Sequence, residues 1–129
     1  STSDVLRFAA SFRPGDTGNP LPEGIRQEMV TDQTGGVPGG VNSAGLHWRE
    51  GAWGLGWEVK GSKRNHWTGS TTSPKTWCHW GQSGTLVWFD PERDLGLAVF
   101  GNRTVATAWP LKPPRWHDLS DDVVEAMEG

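Results

Sequence analysis

The chain reads as an α+β protein: an antiparallel sheet with flanking helices. Three observations point there. Apolar residues recur at helical spacing near both ends, four strand-like segments lie between them, and turn chemistry joins the last two strands as a hairpin. With 129 residues there is room for one ordinary domain.

The elements follow in order. Ser1 to Asp4 offer hydroxyls and a carboxylate to the orphan amides of a first turn, and Val5, Phe8, Ala9 and Phe12 then share one face, predicting a helix over residues 3 to 12. Pro14 to Pro20 cannot continue it. Pro22 and Glu23 open a second short helix with Ile25, Met29 and Val30 on its apolar side, ending near Thr31. Residues 33 to 45, with five glycines, read as a surface excursion. Trp53, Leu55, Trp57 and Val59 alternate with Gly54, Gly56 and Glu58, the period of a strand with one aromatic and one bare face. Residues 61 to 74 are polar and connect to three further strands, 75 to 81, 85 to 89 and 95 to 101, the last two joined by Asp90-Pro91-Glu92-Arg93-Asp94. A terminal helix capped by Asp118 or Ser120 carries Val123, Val124 and Met127. Trp53, Trp57, Trp77 and Trp88 are expected in the core, and Trp48, Trp67, Trp109 and Trp116 in loops.

Composition removes several function classes. A net charge of -3 and no basic cluster beyond Lys60, Lys63 and Arg64 leave too little positive field to grip nucleic acid. No apolar stretch approaches the ~20 residues of a membrane span. The single Cys78 forms no internal disulfide, and no Cys or His pair stands at metal-ligand spacing, so neither a metal nor a cofactor is expected. Ser83 sits in Gly81-Gln82-Ser83-Gly84, but Thr85 stands where a nucleophile elbow needs its last glycine; Ser83 reads as a turn hydroxyl.

The segment Cys78-His79-Trp80-Gly81-Gln82-Ser83-Gly84-Thr85, followed by the hairpin through Asp90-Pro91 to Asn102, resembles the serine β-lactamase-like superfamily, with its class C β-lactamases, esterases and penicillin-binding proteins. His79-Trp80-Gly81 matches the family's third motif, a Lys-Thr-Gly or His-Thr-Gly strand, with Trp80 in place of the small hydroxyl residue. Ser1 to Ala9 is similar to a family helix start, and Trp53-Gly54-Leu55-Gly56-Trp57 to a family strand. The resemblance implies a domain whose central antiparallel sheet carries its terminal helices on one face, while other helices flank the catalytic serine.

It also implies a Ser-x-x-Lys nucleophile motif and a Tyr-x-Asn motif. Neither occurs here: no serine stands three residues before Lys60, Lys63, Lys75 or Lys112, and the chain has no tyrosine. Residues 1–129 are therefore expected to be the C-terminal portion of such a hydrolase, inactive alone. Its partners would be the N-terminal part carrying the nucleophile and a small ester or amide substrate, β-lactams among them. The resemblance assigns the Gln82 amide to oxyanion stabilisation, Gly81 to close substrate approach, and His79 to the cleft, where it binds a substrate carboxylate or tunes the catalytic pair. Trp80 and Ser83 are candidate substrate contacts. Each residue also has a plainer reading: His79 as a half-buried strand residue, Trp80 as packing on the far face. The rival function is a non-catalytic carbohydrate-binding or regulatory module, which predicts several exposed, coplanar indoles.

Overall fold

A computed structural model describes residues 1–42, 45–104 and 115–129. Helix α1 (Thr2–Ala10) starts at Ser1, whose hydroxyl accepts from the Asp4 amide while Asp4 reaches back to the Ser1 amine, a reciprocal cap. Helix α2 (Glu23–Met29) follows. Its buried residue is Arg26 rather than Ile25, which is largely exposed. The Arg26 guanidinium donates to the carbonyls of Ser11, Arg13 and Asp16, satisfying the chain as it leaves α1.

The glycine-rich excursion is not featureless: β1 (Gly39–Val41) pairs antiparallel with β2 (Leu46–Trp48), which places Trp48 on a strand. A second sheet is antiparallel throughout, in the order β3 (Glu58–Val59), β4 (Trp77–Gly81), β5 (Thr85–Asp90) and β6 (Leu95–Phe100). The β5–β6 hairpin turns where Asp90-Pro91 predicts. The Asp90 carboxylate there accepts from the Ser73 amide and hydroxyl and from the Glu92 amide.

The strand expected over 53 to 59 shrinks to two residues. Gly54 donates to the Trp57 carbonyl (2.8 Å) and Gly56 has a positive φ of 92°, so the chain turns where alternation predicts extension. Trp53 pairs with the sheet backbone through an isolated bridge to Glu58 and stays exposed, while Trp57 is buried. The bare position at Gly54 does serve a close backbone approach, since a Cβ there would run into the Met29 carbonyl.

Helix α3 (Trp116–Glu128) begins after Arg115, ahead of the expected cap, and Ser120 lies buried within it. The two helices cover opposite faces of the second sheet. Trp77 and Phe89 pack with Ala9, Phe12, Val30 and Trp57 under α1, whereas Cys78, Leu86 and Trp88 pack with Trp67, Trp116 and Val124 under α3. Strand alternation produces this division. Trp67 and Trp116, expected in loops, are thus core residues, and Trp109 lies outside the described residues.

Ser120 joins the α3 layer by hydrogen bonds: its hydroxyl accepts from the Trp88 indole (3.0 Å) and donates to the Trp67 carbonyl (2.8 Å). Ser120→Ala is predicted to strand both groups in a buried site, costing about 1–3 kcal/mol in urea denaturation; an unchanged midpoint would contradict this bridge.

Candidate active site

Strand β4 brings the motif residues together at its C-terminal end. The pairs His79–Val87, Trp80–Leu86 and Gly81–Thr85 join it to β5. On its other side β3 pairs only with Trp77 and Cys78, so beyond Cys78 no described strand pairs with that edge. His79 is exposed, on the α1 side, with the Trp53 indole edge-on at 6.3 Å between ring centres. Cys78, its neighbour, is wholly buried on the α3 side, where burial raises its thiol well above the ordinary value.

Gln82 and Ser83 are exposed in the turn beyond the ladder, which the Gly84 amide closes onto the Gly81 carbonyl at 3.0 Å. Gly84 has a positive φ of 88°, and a Cβ there would strike the Arg103 carbonyl. Its own carbonyl accepts from the Gly101 amide (2.9 Å). This bond pins the turn that carries Gln82 to the chain just beyond β6. Gly81 has a local reason too: a Cβ there would lie 2.7 Å from the Thr85 hydroxyl.

Trp80 faces away from His79. Its half-buried indole packs against Trp67, ring centres 5.0 Å apart, on the α3 side. A groove of about 310 Å3 lies beside the motif, between Val5 of α1 and the strand ends at Gly81, Thr85 and Phe100, with His79 and Val87 on its wall.

Behind this end of the sheet lies a cluster that sequence spacing does not show. The buried Lys63 ammonium donates to Glu58 (2.8 Å) and to the carbonyls of Ala52 and Val59. The same Glu58 oxygen contacts His66 Nε2 at 3.1 Å, and Cys78 Sγ lies 3.8 Å from the other. Burial pushes the Glu58 carboxyl up, but the His66 contact and the Lys63 charge outweigh it and hold it below its usual value. Burial lowers His66. Nearby, Lys60 donates to Thr72 and to the Ser70 carbonyl, so the two lysines read as a basic cluster are in fact internal.

Glu58, His66 and Cys78 present ligand atoms within 4.8 Å of one another. A divalent ion among them would face the Lys63 ammonium already bonded to Glu58, so the donors fit a hydrogen-bonded charge cluster better than a metal centre. The one forward signal was Glu58 itself, a carboxylate on the face read as bare.

Ser70 Oγ lies 3.0 Å from His117 Nε2, and His117 Nδ1 3.1 Å from Asp118, in a nucleophile–base–acid order. The Ser70 and Thr71 amides beside it are bonded to Asp121, so neither is available to hold an oxyanion. This set clamps the loop after His66 onto α3.

Of the eight described tryptophans, five are buried, Trp48 and Trp80 are half-buried, and Trp53 is exposed. No exposed row of indoles exists among them, which removes the main support for a carbohydrate-binding surface. No described helix is long and apolar enough to cross a membrane.

These features meet in a known fold. The Beta-lactamase family model matches residues 1–119, and the chain belongs to that family. It superposes on a crystal structure of a beta-lactamase from Mycobacterium bovis with a TM-score of 0.78 and 32% identity, over 96% of this chain and 43% of that one. It is also 41% identical over 51 residues to the "Putative D-alanyl-D-alanine carboxypeptidase" of Salmonella gallinarum, an alignment covering 39% of this chain and 12% of that protein. The chain therefore spans less than half the length of either relative.

Two predictions concern the buried cluster. Lys63→Met leaves Glu58 without its cation, and a loss of about 3–5 kcal/mol in urea denaturation is expected; a loss under ~1 kcal/mol would show that Lys63 is dispensable. Stability should also fall as pH drops. The unfolded chain protonates its histidine near about 6.5, whereas buried His66 takes up its proton only at lower pH, so the unfolded state binds more protons below that value. Glu58, Asp90 and Asp121, all held below the usual carboxylate range, extend the loss further into acid. The thermal midpoint is expected to be lower at pH 5 than at pH 7.5; an equal or higher one would contradict this.

Proposed function

We propose that this chain is the C-terminal portion of a serine hydrolase acting on ester or amide bonds through an acyl-enzyme, and that it supplies a wall of the cleft rather than the nucleophile. The observation that carries the reading is the edge of β4 from His79 onward, which no described strand pairs and which ends in an exposed turn at Gln82. Attack on an acyl carbon puts negative charge on the former carbonyl oxygen, and a donor fixed in place beforehand stabilises it without reorganising. A backbone amide at a pinned turn meets that requirement, and the Gly84–Gly101 bond does the pinning.

In this reading the Gln82 amide is one oxyanion donor and the nucleophile's own amide, from the part of the protein outside this chain, is the other. Gly81 leaves the strand edge clear for substrate. His79, exposed at the cleft side, hydrogen-bonds substrate or the catalytic lysine and tyrosine of the upstream part. Ser83 stands at the rim of the same turn. Trp80 packs against Trp67 on the far side of the strand and also lines the groove beside His79, where it can contact substrate. The 129-residue chain has no turnover of its own, because it contains neither Ser-x-x-Lys nor a tyrosine.

The test is a chromogenic ester assay on the longer protein that carries this segment, with His79→Ala beside the parent and the 129-residue chain as a third sample. Turnover is expected in the parent, reduced in His79→Ala with its thermal midpoint unchanged, and absent in the isolated chain. Loss of a single oxyanion donor typically costs about 10²–10³ in turnover, and His79→Ala should fall short of that because the Gln82 amide survives. Full activity in His79→Ala, or turnover that scales with the isolated chain, would overturn the reading.

A further inference from the structure

The groove beside His79 differs from a site built for a charged substrate. Its wall is made by Val5, Trp80, Leu86, Val87 and Phe100 with Gly81 and Thr85, and among the described residues His79 is the only titratable one lining it. Phe100 is 55% exposed, an aromatic ring left to solvent at the end of β6. The cations nearest in sequence do not line the groove: Arg7, two residues after Val5, pairs with Asp4 at 3.4 Å, and Arg103 lies on the exposed chain past Phe100. Lys60 and Lys63 are buried and bonded elsewhere. Trp80, where a hydroxyl side chain would help to hold a carboxylate, turns its indole to the far face.

Among the described residues no lysine or arginine lines this groove, so a carboxylate entering it would exchange its hydration for the His79 imidazole alone, whereas an alkyl or aryl group would lose only unfavourable contact with water. The volume of about 310 Å3 is enough for a short acyl group, at the lower end of the ~300–1,000 Å3 of ligand sites. We propose that this wall receives the uncharged, apolar acyl portion of an ester and disfavours substrates bearing a carboxylate, including β-lactams. The inference rests on the cleft-wall reading and names the substrate class that the wall selects.

The test is a two-dimensional NMR titration of the 15N-labelled chain with methyl hexanoate, hexanoate and benzylpenicillin at equal concentrations. Methyl hexanoate is expected to shift the amides of His79, Val87 and Phe100, with hexanoate and benzylpenicillin binding there at least about tenfold more weakly. Phe100→Asp, a surface change, should abolish the ester shifts and leave the rest of the spectrum in place. Equal or tighter binding of benzylpenicillin or hexanoate at these amides would overturn the substrate class while leaving the cleft wall standing. Ester shifts elsewhere, or none at all, would overturn the groove as the acyl site. The cleft-wall reading itself is judged separately by the turnover of His79→Ala.

Discussion

The short reach of β3 is the constraint on which the site depends. Had the strand run from Trp53 to Val59, its N-terminal half would have paired with His79 and the residues after it, closing the edge of β4. Instead the Gly54–Trp57 turn folds the chain back, and only Glu58 and Val59 stay in the ladder. Glu58 is held there by the buried contacts with Lys63 and His66, one residue in register from the point where the edge opens. An unpaired edge exposes backbone donors and acceptors, a liability in most proteins and an asset in one that binds an acyl group by its main chain.

The same cluster explains how a polar connection becomes a rigid one. Residues 61 to 74 have little apolar content, yet Lys60 and Lys63 each place their ammonium among three acceptors, and His66, Thr68 and Thr72 are buried with them. Buried charge is costly, and this arrangement offsets the cost by giving each ammonium proton a partner and each Glu58 oxygen a contact. On the outer side Asp121 accepts from the Ser70 and Thr71 amides, tying the connection to α3. Aromatic mass on the α3 face then closes over it, with Trp48 and Trp67 stacked edge-to-face at 5.5 Å.

Much of the fold was legible in the sequence because its signals are local. The capped start of α1, the Asp90-Pro91 hairpin and the alternation that separates Cys78 from His79 all follow from neighbouring residues. The failures share a cause. Trp53 to Val59 carries a strand's period, but Gly54 and Gly56 admit a turn, and the close approach of Met29 that selects it is a tertiary fact. Lys60 and Lys63 look like surface charge until residues far along the chain surround them. The α1 and α3 helices lie on opposite faces of the sheet, because α1 belongs with Trp77 and Phe89 and α3 with Trp88, a division the alternation of β4 and β5 already carries. His79, Gly81 and Gln82 are proposed for the site from their motif, whereas the groove's Val5 and Phe100 come from distant elements and carry no motif.

The most direct measurement is a crystal structure of a longer protein carrying this segment after treatment with a phosphonate ester, which would become trapped on the proposed upstream nucleophile. The phosphonyl oxygen stands where the reacting oxyanion would be. It is expected about 2.7–3.1 Å from the Gln82 amide nitrogen, with His79 on the same side of β4. A phosphonyl oxygen held by other donors, with the Gln82 amide turned from the cleft, would contradict it.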